Sequence, residues 1–223
     1  MRALLVAAFL ALALGSSPAL AEEPGNDRKA QVDDLLAKMA KAHEGLNTLS
    51  ASFTQTSSGI SYPVPFVQKG TLELEVPGKM RWEFAGDTPT TWVSDGATLW
   101  VLDPTEKTCT KYRSAAGAIT TYFGFLTGSA DPRELFRVSP TTATPPVPDA
   151  VGLELKPKEA DGSVEAVRLW LDGGTHRVTA LTMLTPFGDA TRMVLEDVKT
   201  PDDLPDDRFV WEGVEGWRVI EGD

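Results

Sequence analysis

The chain has 223 residues, 42% of them hydrophobic, and a formal net charge of −11 from 32 acidic and 21 basic side chains. That length supplies a single domain with a sizeable core, and that charge disfavours nucleic acid or an anionic membrane face as the partner. Cys109 is the only cysteine, so no internal disulfide forms, and its strand setting reads as that of a buried bystander.

The N-terminus reads as an export signal. Met1-Arg2 is a short positive start, Ala3 to Leu14 is an unbroken apolar run, and Ala19-Leu20-Ala21 is a small-x-small cleavage pattern. The run is shorter than the roughly 20 residues a spanning helix needs. The residue after the cut is Glu22 rather than Cys, so the exported chain takes no lipid anchor. Residues 1–21 are therefore expected to be a signal peptide, and residues 22–223 one soluble, monomeric domain in the periplasm of a two-membrane cell. Cleavage removes one charge, that of Arg2, and leaves a net charge near −12.

Asp27 to Leu46 is an amphipathic helix: Val32, Leu35, Leu36, Met39 and Leu46 recur at helical spacing, and Gly45 and Asn47 mark its end. Thr48 to Thr56 alternates as a strand, Ser57 to Pro65 reads as a loop, and Phe66 to Val76 as the next strand. Leu72, Leu74 and Val76 share one strand face, opposite Glu73 and Glu75. After Pro77-Gly78, Met80, Trp82 and Phe84 point one way, and Arg81 and Glu83 the other. A short strand with Trp92 leads through the Ser94-Asp95-Gly96 turn to Thr98–Leu102, which carries Trp100. Thr108 to Arg113 closes this first sheet. One of its faces is broad, apolar and aromatic, either packed within the chain or kept for an apolar ligand.

Ser114 to Gly128 carries no charge and reads as a short helix or loop lying on apolar material. Asp131 to Leu135 is one more helical turn, capped by Asp131 with Pro132 behind it. The proline-rich connection Pro140 to Pro148 reads as a loop within the domain. A meander follows: Val151 to Pro157, Ser163 to Leu171, Arg177 to Leu184 and Ala190 to Val198, with turns at Asp161-Gly162, Asp172-Gly173-Gly174 and Phe187-Gly188-Asp189. Phe209 to Val214 and Trp217 to Ile220 are expected as final strands. This rhythm is that of an antiparallel barrel or sandwich.

Nothing in the chain asks for catalysis. The two histidines, His43 and His176, have no partners at metal-ligand spacing. Neither a Gly-x-Ser-x-Gly elbow nor a glycine-rich phosphate loop occurs. Glu73 and Glu75 lie on an outward strand face, and Asp202-Asp203 with Asp206-Asp207 lack the periodicity of a calcium loop. No cofactor and no metal are expected.

The residues resemble those of the LolA-type outer-membrane lipoprotein carriers. The resemblance rests on the helix followed by Ala51-Ser52-Phe53-Thr54-Gln55 and Gly70-x-Leu72-x-Leu74. It continues through Pro77-Gly78-Lys79-Met80-Arg81-Trp82-Glu83, Val93-Ser94-Asp95-Gly96-x-x-Leu99-Trp100 and Asp103-Pro104. It is dense from about 46 to 104 and beyond 140 rests on strand rhythm.

The resemblance implies a mainly β fold, an unclosed antiparallel barrel of about 10–11 strands with the amphipathic helix and short helices over its open side. It implies a carrier that takes a triacylated lipoprotein from an inner-membrane transporter, shields its acyl chains and passes them to an outer-membrane receptor. The acyl chains are then expected against Phe53, Leu72, Leu74, Met80, Trp82, Phe84, Trp92 and Trp100, with Tyr122, Phe123 and Phe125 from the cover. One departure stands out. Family members often carry Arg just before the turn proline, where it ties the lid shut, whereas this chain has Val76. Alternation puts Arg81 on the face opposite Met80 and Trp82, so either the lid is held differently or the lipid cargo differs. Two rivals stay open: a sensor or regulatory domain whose core is filled by its own side chains, and an exported enzyme with a polar pocket.

Overall fold

The computed structural model of the chain describes residues 24–113, 124–159 and 162–222. The expected signal peptide lies outside them, as do Tyr122 and Phe123.

The amphipathic stretch forms α1 (Pro24–Ala42). Val32, Leu35, Leu36 and Met39 are buried along one stripe, one helical turn after another, and His43 extends it just past the helix end. Strands then follow in the order β1 (Thr48–Gly59), β2 (Tyr62–Glu75), β3 (Lys79–Ala85), β4 (Thr90–Asp95), β5 (Leu99–Asp103) and β6 (Thr108–Tyr112). After a four-residue helix, Pro132–Leu135, come β7 (Phe136–Pro140), β8 (Val151–Pro157), β9 (Ala166–Leu171), β10 (Val178–Leu184), β11 (Ala190–Lys199) and β12 (Arg218–Glu221). Asp131 caps the short helix by accepting from the Arg133 amide, as expected.

All twelve strands belong to one sheet, ordered β12-β6-β5-β4-β3-β2-β1-β11-β10-β9-β8-β7. Neighbours are antiparallel except β12, which lies parallel to β6. Among the described residues the edge strands β12 and β7 do not pair, so the curled sheet is an unclosed barrel. The pairing of β1 with β11 joins the two halves of the chain. α1 packs beside the free edge at β7.

Three elements differ from expectation. The segment read as a loop from Ser57 to Pro65 is instead the tip of a long hairpin, with Gly59 opposite Tyr62. Its prolines fit because β2 outruns β3 there: the β2–β3 ladder ends at Lys69 and Ala85, so Pro63 and Pro65 have only β1 beside them. β7 is a strand that the sequence pattern does not mark, its five residues being too few to alternate visibly. The expected strand Phe209 to Val214 is a 3-10 turn, Asp206–Phe209, followed by irregular chain. This C-terminal segment instead straps the outer face: Arg208 bonds Glu73 at 2.9 Å, Arg81 donates to the Arg208 carbonyl at 3.2 Å, and Lys79 pairs with Asp206 at 2.5 Å.

Gly70 explains the local design of the inner face. It lies opposite both Phe53 and Phe84, and a Cβ there would sit 1.9 Å from the Glu83 carbonyl and 2.6 Å from the Phe53 ring. Only glycine lets the Phe53 ring cross β2 and meet Trp82 and Phe84 edge-on, each at 5.3 Å.

Candidate functional site

Strand direction divides the barrel into two ends. At one, where α1 runs into β1, the interior is filled: Leu36, Met39, Leu49, Leu74, Met80, Leu99, Leu171 and Val178 belong to one buried cluster. At the other lie the tips of the β1–β2 and β10–β11 hairpins, and there the interior is not filled. A cavity of about 690 Å³ occupies that half, within the roughly 300–1,000 Å³ typical of ligand sites.

Its walls come from two sides of the sheet. Gln68, Trp82, Phe84, Thr90 and Trp92 line it from β2, β3 and β4. Val167, Leu169, Leu181, Met183 and Met193 line it from β9, β10 and β11, with Gln55 on β1 between the two walls. Register explains the second wall, since Gln55, Met193, Leu181 and Leu169 stand opposite one another across four strands. Val164 and Phe125 close over it, Phe125 from the helical residues 124–127. The lining polar groups are uncharged amides and hydroxyls, with Thr185, Thr191 and Ser163 toward the hairpin end. No acid or base lines it among the described residues, and the contact it offers is mainly apolar.

The expected site residues fall into four groups. Trp82, Phe84, Trp92 and Phe125 line the cavity. Trp82, Phe84 and Trp92 form one aromatic wall, with ring centroids 5.7–6.5 Å apart. Phe53, Leu72, Leu74 and Met80 share the inner face but are buried behind or beyond the cavity in the filled core. Tyr122 and Phe123 lie outside the described residues. Trp100 is on the other face. Register sets Trp92 against Val101 and Trp100 against Val93, so Trp100 packs outward with Leu102 and Cys109 beneath Trp211 and Trp217 of the strap. The Cys109 thiol is fully buried there, and burial raises its pKa.

The aliphatic wall from β9 to β11 lies outside the face that the sequence pattern marks as apolar and aromatic. Its strands are apolar on both faces, because Trp170 and Ala180 on the outer side pack under Ala143 and Val147 of the proline-rich connection. Alternation in β9 and β10 therefore does not reveal which set faces inward.

Val76 carries no hydrogen-bonding side chain, and the described part of the cover is held by packing. Phe125 meets Phe136 of β7 edge-on at 5.8 Å. Gly128, at φ +70°, lies so close to His43 that a Cβ would come within 2.4 Å of the His43 Cβ. His43 is buried and donates from Nδ1 to the Met39 carbonyl at 2.8 Å. Burial lowers its pKa, with the Arg177 charge adding to the effect against that hydrogen bond. Arg81 lies on the outer face, where it bonds Glu83 at 2.6 Å.

No group of three His, Cys, Asp or Glu able to hold a metal occurs among the described residues, and none of their helices is long and apolar enough to cross a membrane.

Residues 44–212 match the family described as outer membrane lipoprotein carrier protein LolA. A protein of Bordetella avium named outer-membrane lipoprotein carrier protein is 29% identical over 217 residues, covering 96% of this chain and 94% of that one. One of the same name from Chromobacterium violaceum is 28% identical over 189 residues, covering 84% and 88%. Among solved structures, an uncharacterized conserved protein from Thermus thermophilus shares the fold with a TM-score of 0.55 at 11% identity, covering 87% of this chain and 100% of that one. A LolA superfamily protein from Nitrosomonas europaea covers 81% of this chain and 98% of its own, with a TM-score of 0.44 and 12% identity.

Proposed function

This chain belongs to the LolA family of outer membrane lipoprotein carrier proteins, and from that premise we propose that it carries the acyl chains of triacylated lipoproteins across the periplasm in the cavity described above. The family is one of carriers rather than enzymes. The observation that supports the reading is the uncharged, mainly apolar cavity at one end of a barrel whose other end is filled. That unfilled volume favours a carrier over a sensor domain whose own side chains fill its core.

The energetics suit transport. Each buried methylene is worth about 0.8 kcal/mol, so some ten methylenes hold a chain by roughly 8 kcal/mol, a Kd on the order of micromolar. That is tight enough to keep acyl chains out of water and loose enough for release. Met183 and Met193, flexible and polarizable, suit a lining that adapts to chains of different shape.

In this reading residues 1–21 are a cleaved signal peptide and residues 22–223 act as a single monomeric domain. Cargo arrives from an inner-membrane lipoprotein-releasing transporter and leaves to an outer-membrane receptor. Trp82, Phe84, Trp92 and Phe125 contact the chains directly, while Phe53, Leu72, Leu74 and Met80 support that wall from behind. The test is native mass spectrometry of the protein purified gently from periplasm. Stoichiometric triacylated lipoprotein or lipid is expected. An apo protein that also fails to release lipoproteins from inner-membrane vesicles refutes the reading.

A further inference from the structure

We infer that the joined tips of the β1–β2 and β10–β11 hairpins form an apolar prong that seats directly in a lipid bilayer surface, beside the mouth of the cavity. Ile60, Val64 and Phe187 are 85%, 75% and 74% exposed, and Phe66 and Val67 beside them are about half exposed. Residues 57–68 contain no charged side chain, in a chain that is 24% charged. An exposed apolar cluster of this kind marks a contact surface.

The two tips are one unit. The Ser61 amide donates to Asp189 Oδ1 at 2.9 Å, and its hydroxyl donates to Oδ2 at 2.5 Å. Gly59, at φ +134°, lets the strands close on this carboxylate, since a Cβ there would lie 2.5 Å from Asp189 Oδ1. The sole carboxylate at the tips is therefore spent on tying them together.

Three features select a bilayer over a protein as the occupant. A partner strand would need free N–H groups on the exposed edge of β2, but Pro63 and Pro65 stand on the segment that outruns β3 and supply none. The same prolines lower the number of backbone donors that apolar surroundings would leave unpaired. Behind the tip, Lys69 on β2 and Arg192 on β11 are exposed and make no ion pair among the described residues. An apolar end backed by these two cations matches an acyl boundary beneath lipid headgroups, a local exception to the net negative charge that disfavours an anionic face for the chain as a whole. Position gives the contact its use: Gln68, Thr185 and Thr191, which line the cavity, lie on the strands that carry the prong or at their ends. A seated prong therefore sets the cavity next to the membrane.

The inference goes beyond the carrier reading, because contact needs no cargo. The processed, delipidated protein, its N-terminus checked by mass, is floated with vesicles of phosphatidylethanolamine and phosphatidylglycerol. Wild type should co-float. The surface double variant Ile60→Ser/Phe187→Ser should partition at least tenfold less, while Leu135→Ser, an exposed apolar change elsewhere, should match wild type. An environment-sensitive dye on Ile60→Cys, in a Cys109→Ser background, should shift to the blue on vesicle addition. Absence of wild-type flotation overturns the inference, as does equal flotation of the double variant. Prong-dependent binding only to vesicles that contain inner-membrane proteins also overturns it, and makes the tip a protein dock. Capture of a triacylated lipopeptide in vesicle-free solution is measured in parallel. Its failure with flotation intact strikes the carrier reading alone.

Discussion

Trp92→Ala and Trp100→Ala separate the two faces of the sheet. The two tryptophans lie on adjacent strands of one hairpin, yet register points Trp92 to the cavity and Trp100 to the strap. Trp92 is partly exposed, with rings 6.5 Å from Trp82 and 5.7 Å from Phe84. Losing two aromatic contacts worth about 0.5–1.5 kcal/mol each lowers stability by about 1–3 kcal/mol. Bound acyl chains lose more in relative terms. Contact with two or three methylenes, at about 0.8 kcal/mol each, comes to about 2 kcal/mol, or roughly 30-fold in Kd. Trp100 is 9% exposed and packed among Val93, Leu102, Cys109, Trp211 and Trp217. Its truncation leaves a void and costs about 3–5 kcal/mol, with affinity unchanged in the folded protein. Urea denaturation reads stability, and binding of a fluorescent triacylated lipopeptide reads affinity. A Trp100→Ala protein of normal stability and weakened binding, beside a Trp92→Ala protein with normal binding, refutes the assignment of faces.

Gly70→Ala is expected to lose about 1–3 kcal/mol or more in urea denaturation, because the new methyl meets the Glu83 carbonyl and the Phe53 ring. An unchanged midpoint shows that the ring does not lie across Gly70. His43 gives a pH dependence of definite sign. Its folded pKa is lowered from the ordinary 6.5 by burial, so the unfolded chain binds the proton more readily. Its contribution is fully present above about pH 6.5 and is lost as pH falls from there through the depressed folded value. Stability measured between pH 7.5 and 5 should therefore fall off less steeply in His43→Gln than in wild type. Equal slopes would remove His43 as the cause.

Where alternation carries charge, the faces could be read directly. Leu72-Glu73-Leu74-Glu75 and Met80-Arg81-Trp82-Glu83-Phe84 each have one apolar and one ionic face, and the structure turns the apolar ones inward. Leu99-Trp100-Val101-Leu102 is apolar on both faces, so the pattern holds no information about which way Trp100 points. The cause lies more than a hundred residues away, in a C-terminal segment that gives the outer face a second apolar layer. The same ambiguity hid the aliphatic wall, since the outer face of β9 to β11 is also covered. The joining of β1 to β11 is likewise a pairing between distant segments, which no local period reports. The helix, the antiparallel rhythm and the aromatic wall needed only local pattern, and those were legible.

The cavity bears on how such a fold stands empty. A dry void of about 690 Å³, at roughly 24 cal/mol per Å³, would cost about 17 kcal/mol, more than the 5–15 kcal/mol that holds a whole domain together. The space must therefore be open to water when empty, and the partial exposure of Phe84, Trp92, Leu181 and Met183 on its walls agrees with that. The wetted parts of these walls contribute little to folding, so much of the stability has to come from elsewhere. The packed end under α1 supplies part of it, and the two covered outer faces, with Trp100 under the strap and Trp170 under the proline-rich connection, supply the rest. Tryptophans packed outside the barrel stabilise the fold without filling its inner half, which is the arrangement the proposed carrier role requires.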